Sequence, residues 1–353
     1  MALGRRDRAI AVAAAAGADA LLVAHPSAVT WLTGYAPEIE TGPSPFALSA
    51  LAVLAPGAKP LLILSEDEAT AAAETGCDVA TYAGFGIGPI APVAGAARAL
   101  AAVLEGRLVA TEAAALPTAL ARDLEWVDVG DELARSRAVK DPDELELIRA
   151  AIAVCDVGQR AAREHAVAGI SELELWALIR GAMEAAAGSR VPVLADLVSG
   201  PRTADVGGPP GARVIEPGDL VLCDLVPRVG GYWGDSCATF AVGEPGASAR
   251  DVHSRARDTL MAVVEAIRPG VAAGELDALA RARLTFPHHT GHGLGTGWHE
   301  EPRIVPGATT VLEERMVVAV EPGSYAEVGV RLEQVVIVTS EGCEVVSGHD
   351  LAL

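Results

Sequence analysis

The chain has 353 residues, of which 51% are hydrophobic and 4% aromatic, and it carries 27 Lys and Arg against 47 Asp and Glu. This length exceeds what one hydrophobic core usually supports, so two domains are expected. The net charge of −20 argues against nucleic acid or an anionic membrane as a partner, and no apolar run is long enough to span a bilayer.

The first 136 residues alternate Ala-rich helical runs with short apolar strands, expected at 20–23, 50–54, 60–64 and 108–110. A basic start before the Ala-rich run at 9–16 is also compatible with a signal peptide. Asp7 and Arg8 interrupt that pattern, so a first helix followed by a first strand is predicted instead. The alternation of helices and strands predicts an α/β domain over residues 1–136.

A strong helix start marks the expected domain boundary. Asp141 can serve as the N-cap, Pro142 fits the first turn, and Glu144 follows the cap by three residues, as in a capping box. This helix is expected to continue to about residue 164. Residues 137–353 therefore form the second predicted domain.

The second domain repeats the order of its elements. Two helices precede a β-hairpin at 219–240, and two more helices precede a hairpin at 315–338. Each hairpin carries two acids eleven or twelve residues apart, Asp224 and Asp235 in the first and Glu321 and Glu333 in the second. This order predicts an α+β fold with a pseudo-twofold internal repeat, in which the acids meet near the axis.

The four acids and a nearby histidine cluster predict a metal site. Asp224 interrupts a strand of buried type and Glu321 ends another, where an unpaired carboxylate would be costly. Between the hairpins lies a Gly-rich segment with four histidines: His288, His289, His292 and His299. Carboxylates with one imidazole suit Mn²⁺, Co²⁺, Fe²⁺ or Zn²⁺, and a carboxylate-bridged pair of such ions activates water for hydrolysis.

Four blocks in order resemble the pita-bread metallopeptidases, which include methionine aminopeptidase, X-prolyl aminopeptidase and X-prolyl dipeptidase (prolidase). The blocks are the pair Asp224 and Asp235, the segment Gly291-His292-Gly293-Leu294-Gly295, the segment Glu321-Pro322-Gly323-Ser324-Tyr325, and Val330-Arg331-Leu332-Glu333. Residues 29–35 also resemble the N-terminal domain of the prolyl members and of creatinase, which methionine aminopeptidase lacks. The resemblance implies a creatinase/prolidase-type N-terminal domain followed by a pita-bread catalytic domain.

The resemblance implies two divalent metal ions, with Mn²⁺ favoured and Co²⁺ or Zn²⁺ as alternatives. The implied ligands are Asp224, Asp235, His292, Glu321 and Glu333, with Asp235 and Glu333 bridging. A hydroxide activated by the two metals would attack the peptide carbonyl. Glu321 would pass the proton of the water to the leaving nitrogen, and His299 would donate to the developing oxyanion.

Other site residues follow from the same resemblance. His288 matches the histidine that lines the prolyl side of the family's cleft. Arg331 is expected to hold a bridging acid or the substrate. Tyr232, beside the first hairpin, is a weaker candidate for substrate binding, with a packing role as the alternative. His289 is expected to point elsewhere, because its position varies in the family.

The chain departs from the family pattern just before the first hairpin. The prolyl members carry a substrate-contacting histidine there, and Gly207 occupies its place in the segment SGPRTADVGG at 199–208. Arg202 or a residue of the N-terminal domain is expected to compensate. Gln334 also replaces the usual acid after Glu333. These departures bear on specificity, whereas metal binding is expected to survive both.

The leading hypothesis is an Xaa-Pro dipeptidase (prolidase), acting on a proline-containing di- or oligopeptide. An Xaa-Pro aminopeptidase is the alternative, although the short chain favours the dipeptidase. A creatinase-like amidohydrolase of a small non-peptide amide ranks lower, because creatinase lacks metal ligands that this chain keeps. A binding module without catalysis is the least favoured. Five scattered cysteines without CxxC spacing predict reduced thiols and a cytoplasmic protein, and a homodimer is expected.

Overall fold

The computed structural model describes residues 4–37, 44 and 46–353. The chain forms two compact units, of which the first ends at Arg137 and the second begins at Ala138. In the described part of the chain, no helix combines the length and the apolar character needed to cross a bilayer.

The first unit is an α/β structure built on one mixed six-stranded sheet. Its helices are α1 (Arg5–Ala15), α2 (Pro26–Thr33), α3 (Ala69–Ala73), α4 (Pro92–Leu104), α5 (Thr118–Ala121) and α6 (Gly130–Ala138). Its strands are β1 (Ala20–Val23), β2 (Leu51–Leu54), β3 (Leu61–Ser65), β4 (Asp78–Tyr82), β5 (Leu108–Thr111) and β6 (Glu125–Asp128), in the order β4-β3-β2-β1-β5-β6. The α/β architecture expected for this part of the chain is confirmed.

The central strands of this sheet are buried on both faces. Along β1, Leu21 and Val23 pack into one hydrophobic cluster with α1 and α2, whereas Ala20 and Leu22 pack into a second cluster with α4. The small side chains of α1 and α4 let both helices lie close to the strands. The four predicted strands are therefore confirmed within one residue.

The second unit contains four long or medium helices and eleven short strands. The helices are α7 (Pro142–His165), α8 (Glu172–Ala187), α9 (Ala247–Ala266) and α10 (Ala273–Arg281). The strands are β7 (Val193–Ser199), β8 (Leu220–Val229), β9 (Tyr232–Trp233), β10 (Cys237–Ala241), β11 (Gly291–Gly293), β12 (Glu300–Ile304), β13 (Val317–Val320), β14 (Gly323–Tyr325), β15 (Gly329–Arg331), β16 (Gln334–Val338) and β17 (Cys343–Val345). A 3₁₀ helix at Gly200–Asp205 follows β7.

The internal repeat is visible in the strand order of the two main sheets. One sheet runs β10-β8-β7, and the other contains the matching order β16-β13-β11, with β17 and β12 added at its edges. Isolated bridges recur before equivalent helices, from Ser171 to Val214 before α8 and from Ala272 to Val311 before α10. These repeated features confirm the predicted pseudo-twofold fold.

The second hairpin differs from the first in one respect. A small two-stranded ribbon, β14–β15, is inserted between its arms. Glu321 consequently lies just after β13 and Glu333 just before β16, whereas Asp224 lies inside β8. The inserted ribbon carries Arg331, which brings its guanidinium toward the acids.

The first helix of this unit begins as its sequence predicts. Asp141 and Glu144 form a capping box, in which the Asp141 backbone N–H donates to the Glu144 carboxylate at 2.8 Å. Farther along α7, Gly158 permits close packing, because a Cβ there would lie 2.6 Å from Leu225 Cδ1 and 2.8 Å from Met183 Sδ. This close packing fixes α7 against β8.

Candidate active site and metal centre

A buried glutamine positions the first pair of acids. Gln159 on α7 donates from Nε2 to the carbonyls of Cys223 and Ser236, both at 3.0 Å. Cys223 immediately precedes Asp224, and Ser236 immediately follows Asp235. Gln159 therefore holds the two arms of the first hairpin together at the level of their carboxylates.

Backbone hydrogen bonds bring the second pair of acids to the first. The Glu333 N–H donates to the carbonyl of Cys237 on β10 at 2.9 Å, which joins the two hairpins directly. The Glu321 N–H donates to the carbonyl of Thr290 at 2.9 Å, next to the histidine segment. These contacts place all four acids around one buried volume.

His292 projects from β11 with a defined tautomer. Its Nδ1 lies 2.9 Å from the Gly293 carbonyl, which only accepts, so Nδ1 carries the proton and Nε2 carries a lone pair. That Nε2 lies 3.5 Å from Asp235 Oδ2 and 3.4 Å from Glu321 Oε1. Three acceptors facing one another require a proton or a metal cation among them.

The glycines around His292 allow the strands to approach closely. A Cβ at Gly291 would lie 2.1 Å from the Ala319 carbonyl oxygen, and one at Gly293 would lie 2.0 Å from that of Glu301. No side chain is sterically acceptable at either position. The Gly-His-Gly pattern therefore allows the imidazole of His292 to be presented from the middle of a tightly packed sheet.

The residues present fit a pair of divalent cations. Potential ligand atoms of Asp235, His292 and Glu333 lie within 4.8 Å of one another. Oδ1 of Asp224 and Oε1 of Glu333 are buried carboxylate oxygens without a hydrogen-bond partner among the described residues. Buried, unpartnered carboxylate oxygens are costly in an apolar interior and are the preferred donors for hard or borderline cations.

The acids of this cluster differ in protonation. Burial raises the pKa of Asp224 to about 7, and burial together with neighbouring carboxylates raises the pKa values of Asp235 and Glu333 well above their ordinary range. Burial also acts to raise the pKa of Glu321, but the hydrogen bond from His289 and the neighbouring charge of Arg331 lower it well below its ordinary value. Glu321 is thus the acid best suited to remain ionised in the metal-free protein.

Metal binding should therefore stabilise the protein more at pH 8 than at pH 5. In the folded, metal-free protein, the raised pKa values keep protons on acids that would ionise near pH 4 in the unfolded chain. The free energy of unfolding therefore falls as the pH rises through about 7, the pKa of Asp224. A bound cation replaces those protons. With Mn²⁺ at about 100 times its Kd, we expect a rise in melting temperature of roughly 5–10 °C at pH 8. Differential scanning fluorimetry would measure it, and a larger rise at pH 5 would contradict this account.

His289 lies inside the site, so the expectation that it points elsewhere is wrong. Its Nδ1 is 3.4 Å from the Arg303 guanidinium, which only donates, so Nε2 carries the proton and donates to Glu321 Oε1 at 2.7 Å. Ligand atoms of His289, His292, His299 and Glu321 also lie within 4.8 Å of one another. None of the four sequence blocks includes position 289, so they give no indication of this arrangement.

His288 and His299 lie on either side of this group. His288 donates from Nδ1 to the His289 carbonyl at 2.7 Å, and its Nε2 accepts from the Tyr325 hydroxyl at 2.9 Å. Burial lowers the pKa of His288 to about 4. The ring of His299 lies against that of His292, with the centroids 3.8 Å apart and the planes tilted by 44°, and desolvation together with the neighbouring imidazoles lowers its pKa to about 3. Both rings are neutral at pH 7.

Arg331 is the cation shared by several acids. Its Nη2 donates to Asp224 and, at 3.1 Å, to Asp196 Oδ2, while its Nε lies 3.8 Å from Glu321 Oε2. These partners are not the expected bridging acids Asp235 and Glu333, so the role of Arg331 in holding a bridging acid or the substrate stays a prediction. Asp196, in the middle of β7, is absent from the predicted site, because a lone acid within a strand carries no motif.

Two other predicted candidates have partners outside the acid cluster. The Tyr232 hydroxyl donates to Glu144 at 3.2 Å from within a hydrophobic cluster, which favours its packing role. Arg202 binds the buried carboxylate of Glu172 and the Pro209 carbonyl. The expected compensation by Arg202 is therefore not supported, since its guanidinium is already bound to Glu172 and Pro209. The structure places Asp196 against Gly207 instead.

Two repeated hairpins meet around the imidazole of His292, and two of their buried carboxylate oxygens have no hydrogen-bond partner among the described residues. This fold and this site define a metal-dependent hydrolase. Residues 146–340 match the model of metallopeptidase family M24, and residues 5–139 match the creatinase/prolidase N-terminal domain. The chain therefore belongs to metallopeptidase family M24.

Individual relatives agree with this assignment. The chain is 34% identical over 371 residues to a probable dipeptidase PepE of Mycobacterium tuberculosis, with 98% of this chain and 95% of that protein covered. A prolidase from Pyrococcus horikoshii superposes with a TM-score of 0.85 at 26% identity, covering 98% of both chains. An X-Pro aminopeptidase from Thermotoga maritima shares the fold, with a TM-score of 0.85 at 24% identity over 99% of both chains.

Proposed function

We propose that this protein is an Xaa-Pro dipeptidase that uses two divalent ions held by the side chains of Asp224, Asp235, His292, Glu321 and Glu333. The observation that carries the proposal is the convergence of the Asp235, Glu321 and Glu333 carboxylates on the imidazole of His292, with Asp224 on the same hairpin as Asp235. The similarity to a prolidase and to a probable dipeptidase supports the choice of substrate.

Bound divalent ions supply an activated water and polarise the scissile carbonyl. Glu321 acts as the general base, because its lowered pKa keeps it ionised and the contacts from the imidazoles of His289 and His292 are made to Oε1 rather than to Oε2. It returns the proton to the proline nitrogen, which has no N–H of its own in the substrate. His299, neutral at pH 7, donates to the carbonyl oxygen as negative charge develops.

His288 and Tyr325 shape the neighbouring wall of the site. The hydrogen bond from Tyr325 to His288 Nε2 fixes the imidazole ring, whose centroid lies 5.5 Å from that of the tyrosine in an edge-on arrangement. Two rings held edge to face form a rigid, largely apolar surface suited to a pyrrolidine ring. We assign the proline side of the substrate to this surface.

Three finer assignments belong to the same proposal. Mn²⁺ is the preferred ion, because oxygen ligands with a single imidazole favour it over thiolate-seeking metals. A reducing, cytoplasmic location accords with five free cysteines. A homodimer is carried over from the family resemblance.

Hydrolysis of Ala-Pro and Ala-Pro-Ala by Mn²⁺-loaded protein tests the proposed activity. We expect cleavage of the dipeptide with little or no cleavage of the tripeptide. Preferential cleavage of Ala-Pro-Ala would instead identify an Xaa-Pro aminopeptidase. Tight Mn²⁺ binding without cleavage of either peptide would point to an amidohydrolase of a small non-peptide amide. Replacement of exposed Glu344 by Gln provides a matched control, because its carboxylate pairs with Arg149 at the surface, and with no other side chain among the described residues.

A further inference from the structure

Asp196 adds a fifth carboxylate beside the four acids of the site. In the β7–β8 ladder it lies directly opposite Asp224. Like charges at directly opposed positions repel, and Nη2 of Arg331 lies between them, donating to Oδ2 of both residues. Asp196 is thus part of the same charge network, although none of the steps derived above uses it.

Asp196 is the most accessible acid of this network. Its side chain is 35% exposed, compared with 14% for Asp224, 9% for Glu321 and 5% for Asp235. Oδ2 is bound to Arg331, whereas no hydrogen bond from a described residue reaches Oδ1. A carboxylate with one oxygen anchored and the other oxygen open to solvent is oriented to accept from an incoming cationic group.

The segment around Gly207 holds this carboxylate in place. A Cβ at Gly207 would lie 2.1 Å from Asp196 Oδ2, so the carboxylate packs directly against the glycine. Before it, Val206 adopts a φ of 75°, an unfavourable conformation for a β-branched residue, and its carbonyl accepts from Arg331 Nη1 at 3.2 Å. Arg331 therefore anchors the carboxylate and the loop that confines it.

We propose that Asp196 is a specificity-determining residue whose Oδ1 accepts hydrogen bonds from the α-ammonium group of the substrate's first residue. This inference rests on the proposed dipeptidase function, because it assigns one end of the same substrate. A dipeptide carries one cationic and one anionic end, and the fixed negative charge of Asp196 repels the carboxylate end. Asp196 therefore orients short peptides with their free amino terminus toward β7.

Two substrates that differ only at this group test the inference. Ala-Pro carries the ammonium group, whereas L-lactoyl-proline carries a neutral hydroxyl in its place. We expect wild-type, Mn²⁺-loaded protein to favour Ala-Pro, and Asp196→Asn to lower kcat/KM for Ala-Pro by about 10–100-fold, chiefly through KM. The variant should leave L-lactoyl-proline within about twofold of wild type. The amide oxygen introduced by this substitution would still accept from Arg331, which preserves the position of the guanidinium.

A second variant displaces the same carboxylate without removing its charge. Gly207→Ala would push the Asp196 side chain away from its present position, because the added methyl overlaps Oδ2. We expect this variant to lose the same preference for Ala-Pro, whereas Glu344→Gln should retain it. Equal losses on both substrates would overturn the inference and indicate that Asp196 only supports Arg331. Unchanged selectivity in Asp196→Asn would also overturn it.

Failure of the proposed function is distinguishable from failure of this inference. If wild-type protein cleaves neither compound, the dipeptidase assignment is wrong, but calorimetric titration with Ala-Pro and L-lactoyl-proline still reports on Asp196. Tighter binding of Ala-Pro that disappears in Asp196→Asn would support the ammonium site. Equal binding of the two compounds by wild-type protein, or no binding of either, would reject it.

Discussion

Metal-free Asp235→Asn protein should melt at a higher temperature than metal-free wild type, yet gain no stability from Mn²⁺ and show almost no peptidase activity. Burial and the adjacent carboxylates of Asp224 and Glu321 raise the pKa of Asp235, which shows that its charge is unfavourable in the empty cluster. A neutral amide of the same shape avoids the free-energy cost of either ionising or protonating this buried acid. The same change removes a carboxylate 3.5 Å from His292 Nε2.

The expected loss of metal affinity is large. Deleting one partner of a buried charged group typically costs about 3–5 kcal/mol, which corresponds to roughly 10²–10⁴-fold in an equilibrium constant. Metal content after gel filtration, melting temperature with and without Mn²⁺, and hydrolysis of Ala-Pro together measure the effect. Full metal content with wild-type activity in Asp235→Asn would remove this residue from the proposed ligands. Glu344→Gln should behave as wild type in all three measurements.

Glu321→Gln should lower kcat for Ala-Pro by about 10²–10⁴-fold at saturating Mn²⁺, because the amide cannot accept a proton. The lowered pKa of Glu321 means that the wild-type residue is already ionised near neutral pH, so the loss should persist across about pH 6–9. The amide oxygen still offers one donor atom to a cation. Stopped-flow or steady-state assays at increasing Mn²⁺ separate loss of metal from loss of the base.

His289→Gln provides the matched comparison for that experiment. The glutamine side chain can still donate to Glu321 Oε1, as His289 does at 2.7 Å, without changing the acid itself. We expect a smaller loss of about 10-fold, at the low end of the roughly 10–100-fold that changes to ligand-orienting residues cause, because the glutamine keeps the hydrogen bond. A Glu321→Gln variant that loses no more activity than His289→Gln would rule out Glu321 as the general base.

The sequence can predict a strand that is buried in the sheet, because its residues then form a continuous apolar run. β1, β2, β3 and β5 lie inside the six-stranded sheet, whereas β4 and β6 form its two edges and are absent from the predicted strands. β6 reads Glu-Trp-Val-Asp and is largely exposed, so its residues alternate weakly and resemble a loop. Edge strands need only one buried face or none, and their signal in a single sequence is correspondingly weak.

The site is predictable where chemistry requires fixed spacing along one chain segment. Asp224 and Asp235 lie on one hairpin, and His292 lies in a segment whose glycines are required by backbone contacts. Asp196 has no such signature, because its proximity to Asp224 depends on the register of β7 against β8. The inward direction of His289 likewise depends on its contacts with Glu321 and Arg303, which lie farther along the chain.

The hydrogen bond from the Glu333 N–H to the Cys237 carbonyl has a consequence for how the second unit could have arisen and could be divided. Each repeat contributes two of the acids, but the backbone that presents Glu333 is paired with a strand of the opposite repeat. A half-length ancestor or fragment would therefore carry only part of the set of metal ligands. It could complete that set only by associating with a second half, so metal binding and association of the two halves would be one cooperative event.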